Sequence, residues 1–262
     1  MWGKTEAEKQ DLYFVIAFLG LIVLAEVALT FESPAAGTSV HMITLFGLII
    51  VASILSSRRE LSRLLVSLTL IPLIRLFSIS TPYWPFADTL IWLTVITVPM
   101  LVAAFATIHV QNLKRSDYGF VLGPLRLLPV QVGIMLLGIP LGFMEYAILA
   151  PEPWVTDFAL GTVILGILVI MFGTGVSEEL VFRGILLHNS SALMSWPASI
   201  LYTTVIFTAM HIGFFSIADL VFVFFVGLFF AYSAYKTGTL LGVIGCHTLL
   251  NIMLFMVAPF IL

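Results

Sequence analysis

Long apolar runs separated by short polar segments dominate the chain, at residues 12–30, 40–56, 63–80, 89–111, 128–149, 158–187, 198–215, 217–235 and 239–260. A helix rises 1.5 Å per residue, so about 20 residues cross the hydrocarbon core of a bilayer. Strands of a membrane barrel would alternate polar and apolar positions over about ten residues. These runs are instead apolar on all sides, and the pattern predicts an all-α polytopic transmembrane helix bundle of about eight to nine spans. Residues 1–157 hold the first five runs and their basic loops. Residues 158–262 hold the last four.

Composition narrows the function classes. The chain of 262 residues is 61% hydrophobic and 10% charged, against about a quarter charged in a typical soluble domain. This excludes a water-soluble globular enzyme and a disordered chain. The net charge of -3 supplies no basic field for nucleic acid. One cysteine, Cys246, rules out an intrachain disulfide framework. Arg58, Arg59 and Arg63 lie between runs two and three, Lys114, Arg115 and Arg126 between runs four and five, and Lys236 follows run eight. Lys4 and Lys9 precede run one. The alternate loops carry only Glu32, Asp88, Glu152 and Asp157. The positive-inside rule then places the N-terminus in the cytoplasm and the C-terminus outside, in what reads as a prokaryotic cytoplasmic membrane. Glu26 interrupts the first run, which is read as a retained span and not a cleaved signal. The only sizeable amphiphilic stretch, Lys114–Pro129, reads as a basic cytoplasmic loop. The chain has no repeat and no low-complexity tract.

Ionisable residues inside spans are costly and become functional candidates. Glu26, Arg75 and Glu145 lie near the outer ends of their spans and read as structural anchors, with Arg75 linked to Glu26 or Glu145. Glu178, Glu179 and Arg183 lie about ten residues deep. Glu179 and Arg183 stand at i and i+4 with the acid first, the favourable order on a helix. Glu178 is rotated about 100° to the next face and is left unpaired. Two further pairs at the same spacing follow: Phe207 with His211, and His247 with Asn251. To match their depth, the span bearing His211 should begin near residue 201. His41, His109, His188 and Cys246 are read as structural, and Gly238 and Gly242 as a small-residue packing face.

Glu178-Glu179-x-x-x-Arg183, Phe207-x-x-x-His211 and His247-x-x-x-Asn251, in that order, resemble the motifs of the CPBP family of intramembrane glutamic endopeptidases. That family includes the Rce1-type CAAX prenyl proteases and the bacterial abortive-infection and bacteriocin-immunity proteins. The segment Tyr235-Lys236-Thr237-Gly238-Thr239-Leu240 resembles the family's approach to the last motif, and Asp117-Tyr118-Gly119-Phe120 its short turn before the core. The resemblance covers about residues 170–253. It implies hydrolysis of a peptide bond in a peptide or membrane-anchored protein, with no cofactor and no metal. By resemblance, Glu178 activates the attacking water with help from His211, His247 and Asn251 position the water or stabilise the oxyanion, and Glu179 and Arg183 shape the site. Two other readings stay open. Two His and two Glu could hold zinc, although Asn251 in place of a stronger ligand argues against it. A polar cluster in mid-membrane also suits a transporter, a scaffold or a non-proteolytic immunity protein. Ser177 lacks a Gly-x-Ser-x-Gly setting, and neither His-Glu-x-x-His nor Gly-x-Gly-Asp occurs, so serine, zinc site-2 and aspartyl intramembrane types are disfavoured.

Overall fold

A computed structural model describes residues 6–81 and 89–262. Lys4 and Asp88 of the loop-charge pattern lie outside the described residues. Nine helices among the described residues are long and apolar enough to cross a membrane, and no strand occurs among them. They are α1 (Gln10–Glu32), α2 (Pro34–Ile54), α3 (Arg59–Ser80), α4 (Thr89–Val110), α5 (Leu125–Leu149), α6 (Leu160–Ser191), α7 (Trp196–Phe214), α8 (Ile217–Thr237) and α9 (Leu241–Phe260). The fold is therefore the all-α multi-pass bundle that the apolar runs predict.

Side-chain exposure is inverted relative to a soluble domain. Ile43, Ile50, Val102 and Phe225 are each more than half exposed. In water such faces would drive aggregation; in a bilayer they meet acyl chains. The most buried span is α9, which packs against α5 and α6. Its approach to α5 is close because Gly142 carries no side chain: a Cβ there would collide with the carbonyl oxygen of Leu250. The amide N–H of Gly242 donates to Gln131 Oε1 at 2.7 Å, which fixes the start of α9 against α5.

The α7 boundary corrects the sequence reading. The helix begins at Trp196 and not near residue 201, because extended Ser195 leads into a first turn that carries Pro197, where the missing N–H is harmless. The small-residue face is also corrected. Gly238 ends α8 in the left-handed conformation (φ 67°), and a Cβ there would meet no atom within 4 Å, so it acts as a helix terminator and not as a packing glycine. Residues 111–124 are more than a basic loop. Tyr118 is buried, Leu240 N–H donates to Gly119 O at 2.9 Å, and Thr239 Oγ1 donates to Val121 O at 2.6 Å. The segment thus seals the turn between α8 and α9.

Buried polar side chains tie the spans together. Asn189 Nδ2 on α6 donates to Ser67 Oγ on α3 at 2.7 Å and to Gln111 Oε1, just past α4, at 2.8 Å. Near the opposite ends, Glu26 is fully buried and accepts both contacts of Arg75 Nε, at 2.7 and 3.0 Å, with His41 Nε2 at 3.3 Å. Of the two partners expected for Arg75, the structure selects Glu26. Arg75 Nη2 also donates to the carbonyl oxygen of Met210. One cluster therefore joins α1, α2, α3 and the end of α7. His41, read as a structural histidine near a span end, belongs to it.

Removing one member of a buried ion pair strands the other and costs about 3–5 kcal/mol. Glu26→Ala should lower the thermal unfolding temperature of the detergent-purified protein. The double variant Glu26→Ala/Arg75→Ala should recover part of the loss, as measured by tryptophan fluorescence melting.

Candidate active site

The site is built on α6, whose backbone is irregular around the two glutamates. Hydrogen bonding is of the wider i→i+5 kind over Met171–Val176 and again over Leu180–Leu186, with Ser177–Glu179 regular between them. Such segments occur often at functional sites because they re-aim side chains and loosen the helical ladder. Gly173 and Gly175 lie in the first of them. Glu178 and Glu179 are neighbours in sequence and face different surroundings.

Glu179 faces inward and is fully buried. Its Oε1 accepts from Arg183 Nη1 at 2.9 Å and lies 2.8 Å from His247 Nδ1. The i, i+4 ion pair expected from the sequence is formed. A carboxylate can only accept, so His247 Nδ1 carries the proton and its Nε2 is left for other work. Arg183 spends a second contact on the Gly227 carbonyl of α8, at 3.3 Å. Its guanidinium carbon lies 4.1 Å from the centroid of the Phe207 ring, with Phe230 at 5.4 Å and Phe182 at 5.8 Å. The Phe of Phe207-x-x-x-His211 thus has a physical task, because a flat cation in a water-poor site is stabilised by an aromatic face.

Glu178 turns the other way, into a cavity of about 300 Å³ that is also lined by His211, His247 and Asn251. All four residues expected to do chemistry therefore share one cavity. Among the described residues no hydrogen bond or ion pair engages the Glu178 carboxylate. His211 follows the regular part of α7, which ends at Ala209, and stands in a turn with φ -100° and ψ 1°. Its Nδ1 lies 2.9 Å from the carbonyl oxygen of Phe207. That oxygen can only accept, so the proton sits on Nδ1 and Nε2 presents a lone pair. Arg75, bonded to the Met210 carbonyl, braces the same turn from α3. Asn251 Nδ2 donates to Thr174 Oγ1 at 2.9 Å, and Thr174 in turn donates to Ile170 O at 2.7 Å.

Height reconciles with the corrected α7. Glu178 lies 13 residues before the Ser191 end of α6 and His211 lies 15 residues after the Trp196 start of α7, so both stand about 20 Å from those ends. The sequence reading missed three contributors. Thr174 stands one turn before Glu178 and lines the same cavity, a spacing that could have flagged it. Glu145 and Arg75, read only as outer anchors, both line the cavity. Glu145 is buried within the bundle, since distance from a span end says nothing about which way a side chain faces. Among the described residues no group of three or more His, Cys, Asp or Glu side chains is arranged to hold a metal.

The two glutamates should therefore differ in what they do for the fold. Glu179→Ala strands the Arg183 guanidinium and is expected to destabilise the protein by about 3–5 kcal/mol. Glu178→Ala removes a carboxylate with no partner and should leave the melting temperature near that of the unsubstituted protein. Parallel thermal melts in detergent check both.

No curated protein and no solved structure matches the chain. A family model described as type II CAAX prenyl endopeptidase Rce1-like matches residues 160–253, from the start of α6 to α9, and includes Glu178, Glu179, Arg183, Phe207, His211, His247 and Asn251, while the turn at Asp117–Phe120 lies outside it. The members of that family are hydrolases. Residues 160–253 thus match an Rce1-like domain of the CPBP family, in a chain with nine candidate membrane spans among its described residues.

Proposed function

We propose that the protein is an intramembrane endopeptidase of the glutamic type, which hydrolyses a peptide bond with a water activated by Glu178 and His211. The observation that carries this reading is the division of labour between adjacent glutamates. Glu179 is committed to Arg183 and His247, whereas Glu178 faces the cavity uncommitted, in the company of a histidine whose Nε2 is free.

The chemistry follows from the donors and acceptors. Water held between Glu178 and His211 loses a proton to this pair as its oxygen attacks the scissile carbonyl carbon. The carbonyl oxygen gains the displaced electron pair. With His247 as the imidazolium paired to Glu179, its Nε2–H and the second N–H of Asn251, both on the cavity wall, receive that oxyanion; fixed donors in a water-poor site are worth a large share of a rate. The abstracted proton then passes to the departing amine as the C–N bond breaks. Glu179 holds the His247 ring, and Thr174 holds the Asn251 amide, so both arrive already oriented. In this reading residues 158–262 form the catalytic core and α1–α5 frame it. Substrates are prenylated CAAX-like peptides, bacteriocin-like peptides or membrane-anchored proteins, and the setting is a prokaryotic cytoplasmic membrane.

Digestion of an internally quenched peptide library by the purified protein tests the proposal. Glu178→Ala and His211→Ala should each lower cleavage by about 100-fold or more while the protein still inserts and purifies. Asn251→Ala should cost about 100- to 1,000-fold, the typical loss of one oxyanion donor. Normal cleavage by both Glu178→Ala and His211→Ala would sink the reading. Dialysis against a chelator, with the residual metal measured, separates it from a zinc mechanism: cleavage should survive in metal-free protein.

A further inference from the structure

The cavity occupies one half of the bundle, and that half has an address. The residues that line it come from the Ser80 end of α3, the Thr89 end of α4, the Leu149 end of α5, the middle of α6 (173–182), the Phe214 end of α7, the Ile217 end of α8 and the middle and far end of α9. Ser78, Trp92, Glu145, Trp154, Phe214 and Phe222 mark it. Successive helices run in alternate directions, so all these ends lie on the same side of the bundle. The opposite ends carry the basic residues: Arg58, Arg59 and Arg63 at the start of α3, Lys114 and Arg115 after α4, Arg126 at the start of α5, and Lys236 at the end of α8. Of the Lys and Arg among the described residues beyond α1, only Arg75 and Arg183 stand elsewhere. Both are held inside by Glu26 and Glu179. The segments on the cavity side, 32–33, 150–159 and 215–216, contain Glu32, Glu152 and Asp157 and no Lys or Arg.

Lys and Arg near span ends are retained on the cytoplasmic side during insertion, each worth a bias that accumulates over short loops. We infer that the cavity faces the extracytoplasmic side, and that the enzyme takes its substrate from there: a peptide segment whose scissile bond is presented at the outer half of the bilayer. This rests on the peptidase reading for the word substrate and on helix direction and charge alone for the side. It sets apart segments that reach the outer leaflet, such as secreted peptides and the outer juxtamembrane parts of anchored proteins. Peptides confined to the cytoplasmic leaflet would meet the basic face of the bundle and not the cavity.

Cysteine accessibility decides the side without relying on activity. The single native thiol, Cys246, is fully buried and gives little background. Exposed Glu152 lies on the cavity side, exposed Ser116 on the basic side, and Ser78 lines the cavity itself. In spheroplasts treated with a membrane-impermeant maleimide, Glu152→Cys and Ser78→Cys should be labelled before lysis. Ser116→Cys should be labelled only after it. The reverse pattern overturns the inference and leaves the peptidase reading untouched. An impermeant internally quenched peptide library added to the same spheroplasts should be cleaved, and the signal should be lost with Glu178→Ala. Cleavage in detergent without cleavage from outside overturns access from that side. Absence of cleavage in both removes the peptidase reading, while the labelling still settles which way the cavity faces.

Discussion

A carboxylate deep in a bilayer needs a cation, and in this protein that need falls on Glu179. Placing a charged side chain at mid-membrane costs about 2.5–3.5 kcal/mol on insertion scales. The Glu179 carboxylate is met on one oxygen by Arg183 and His247 together. Arg183 then takes the Gly227 carbonyl and lies against Phe207. Satisfying one buried charge has therefore fixed α7, α8 and α9 around α6. The remaining site residues inherit their positions from that arrangement. His247 is oriented by the carboxylate directly, and His211 is one turn from the ring that covers the guanidinium.

The neighbouring Glu178 lines the cavity and stays clear of this knot, because the backbone turns it to another face. Two stretches of wide helical hydrogen bonding flank the glutamates, and α7 breaks off its regular ladder before His211. Both irregularities lie next to the cavity and do the same work, turning a side chain toward a shared space that straight helices would not converge on. Rigid support comes from outside the irregular region. The Arg75 contact with Met210 and the Thr174 contact with Asn251 hold the two places where α7 and α9 supply their polar groups.

Much of this was readable from the residues. Span number and approximate limits followed from run length, since hydrocarbon thickness sets it. The i, i+4 spacing of Glu179 and Arg183 gave their pairing, because neighbours on a helix face meet at that spacing. Other features depend on direction and not on depth. Nothing in the sequence shows the wider hydrogen bonding in α6, which hardly alters composition. Glu145 and Arg75 were placed correctly along their helices, but the way they face is set by packing against α8, α9 and α7, which no single run encodes. The start of α7 differs from the depth match because α6 runs on to Ser191, past the apolar run that ends at 187, so Glu178 lies deeper from that end than the run implies.

The bridge from Glu26 through Arg75 to Met210 has a consequence for how far the family-matched segment can be treated as a unit. Residues 160–253 carry every motif, yet they do not enclose the cavity. Arg75, Trp92, Met100 and Glu145 belong to α3, α4 and α5 and form part of its wall, and the brace on the His211 turn is anchored on α1. A chain trimmed to the matched residues would hold the chemical groups while leaving one side of the chamber open to lipid and the His211 turn unbraced. Transplanting the motifs onto another scaffold would meet the same deficit. In the proposed reading the recognisable segment holds the reagents, and the vessel is made in part by helices with no motif of their own.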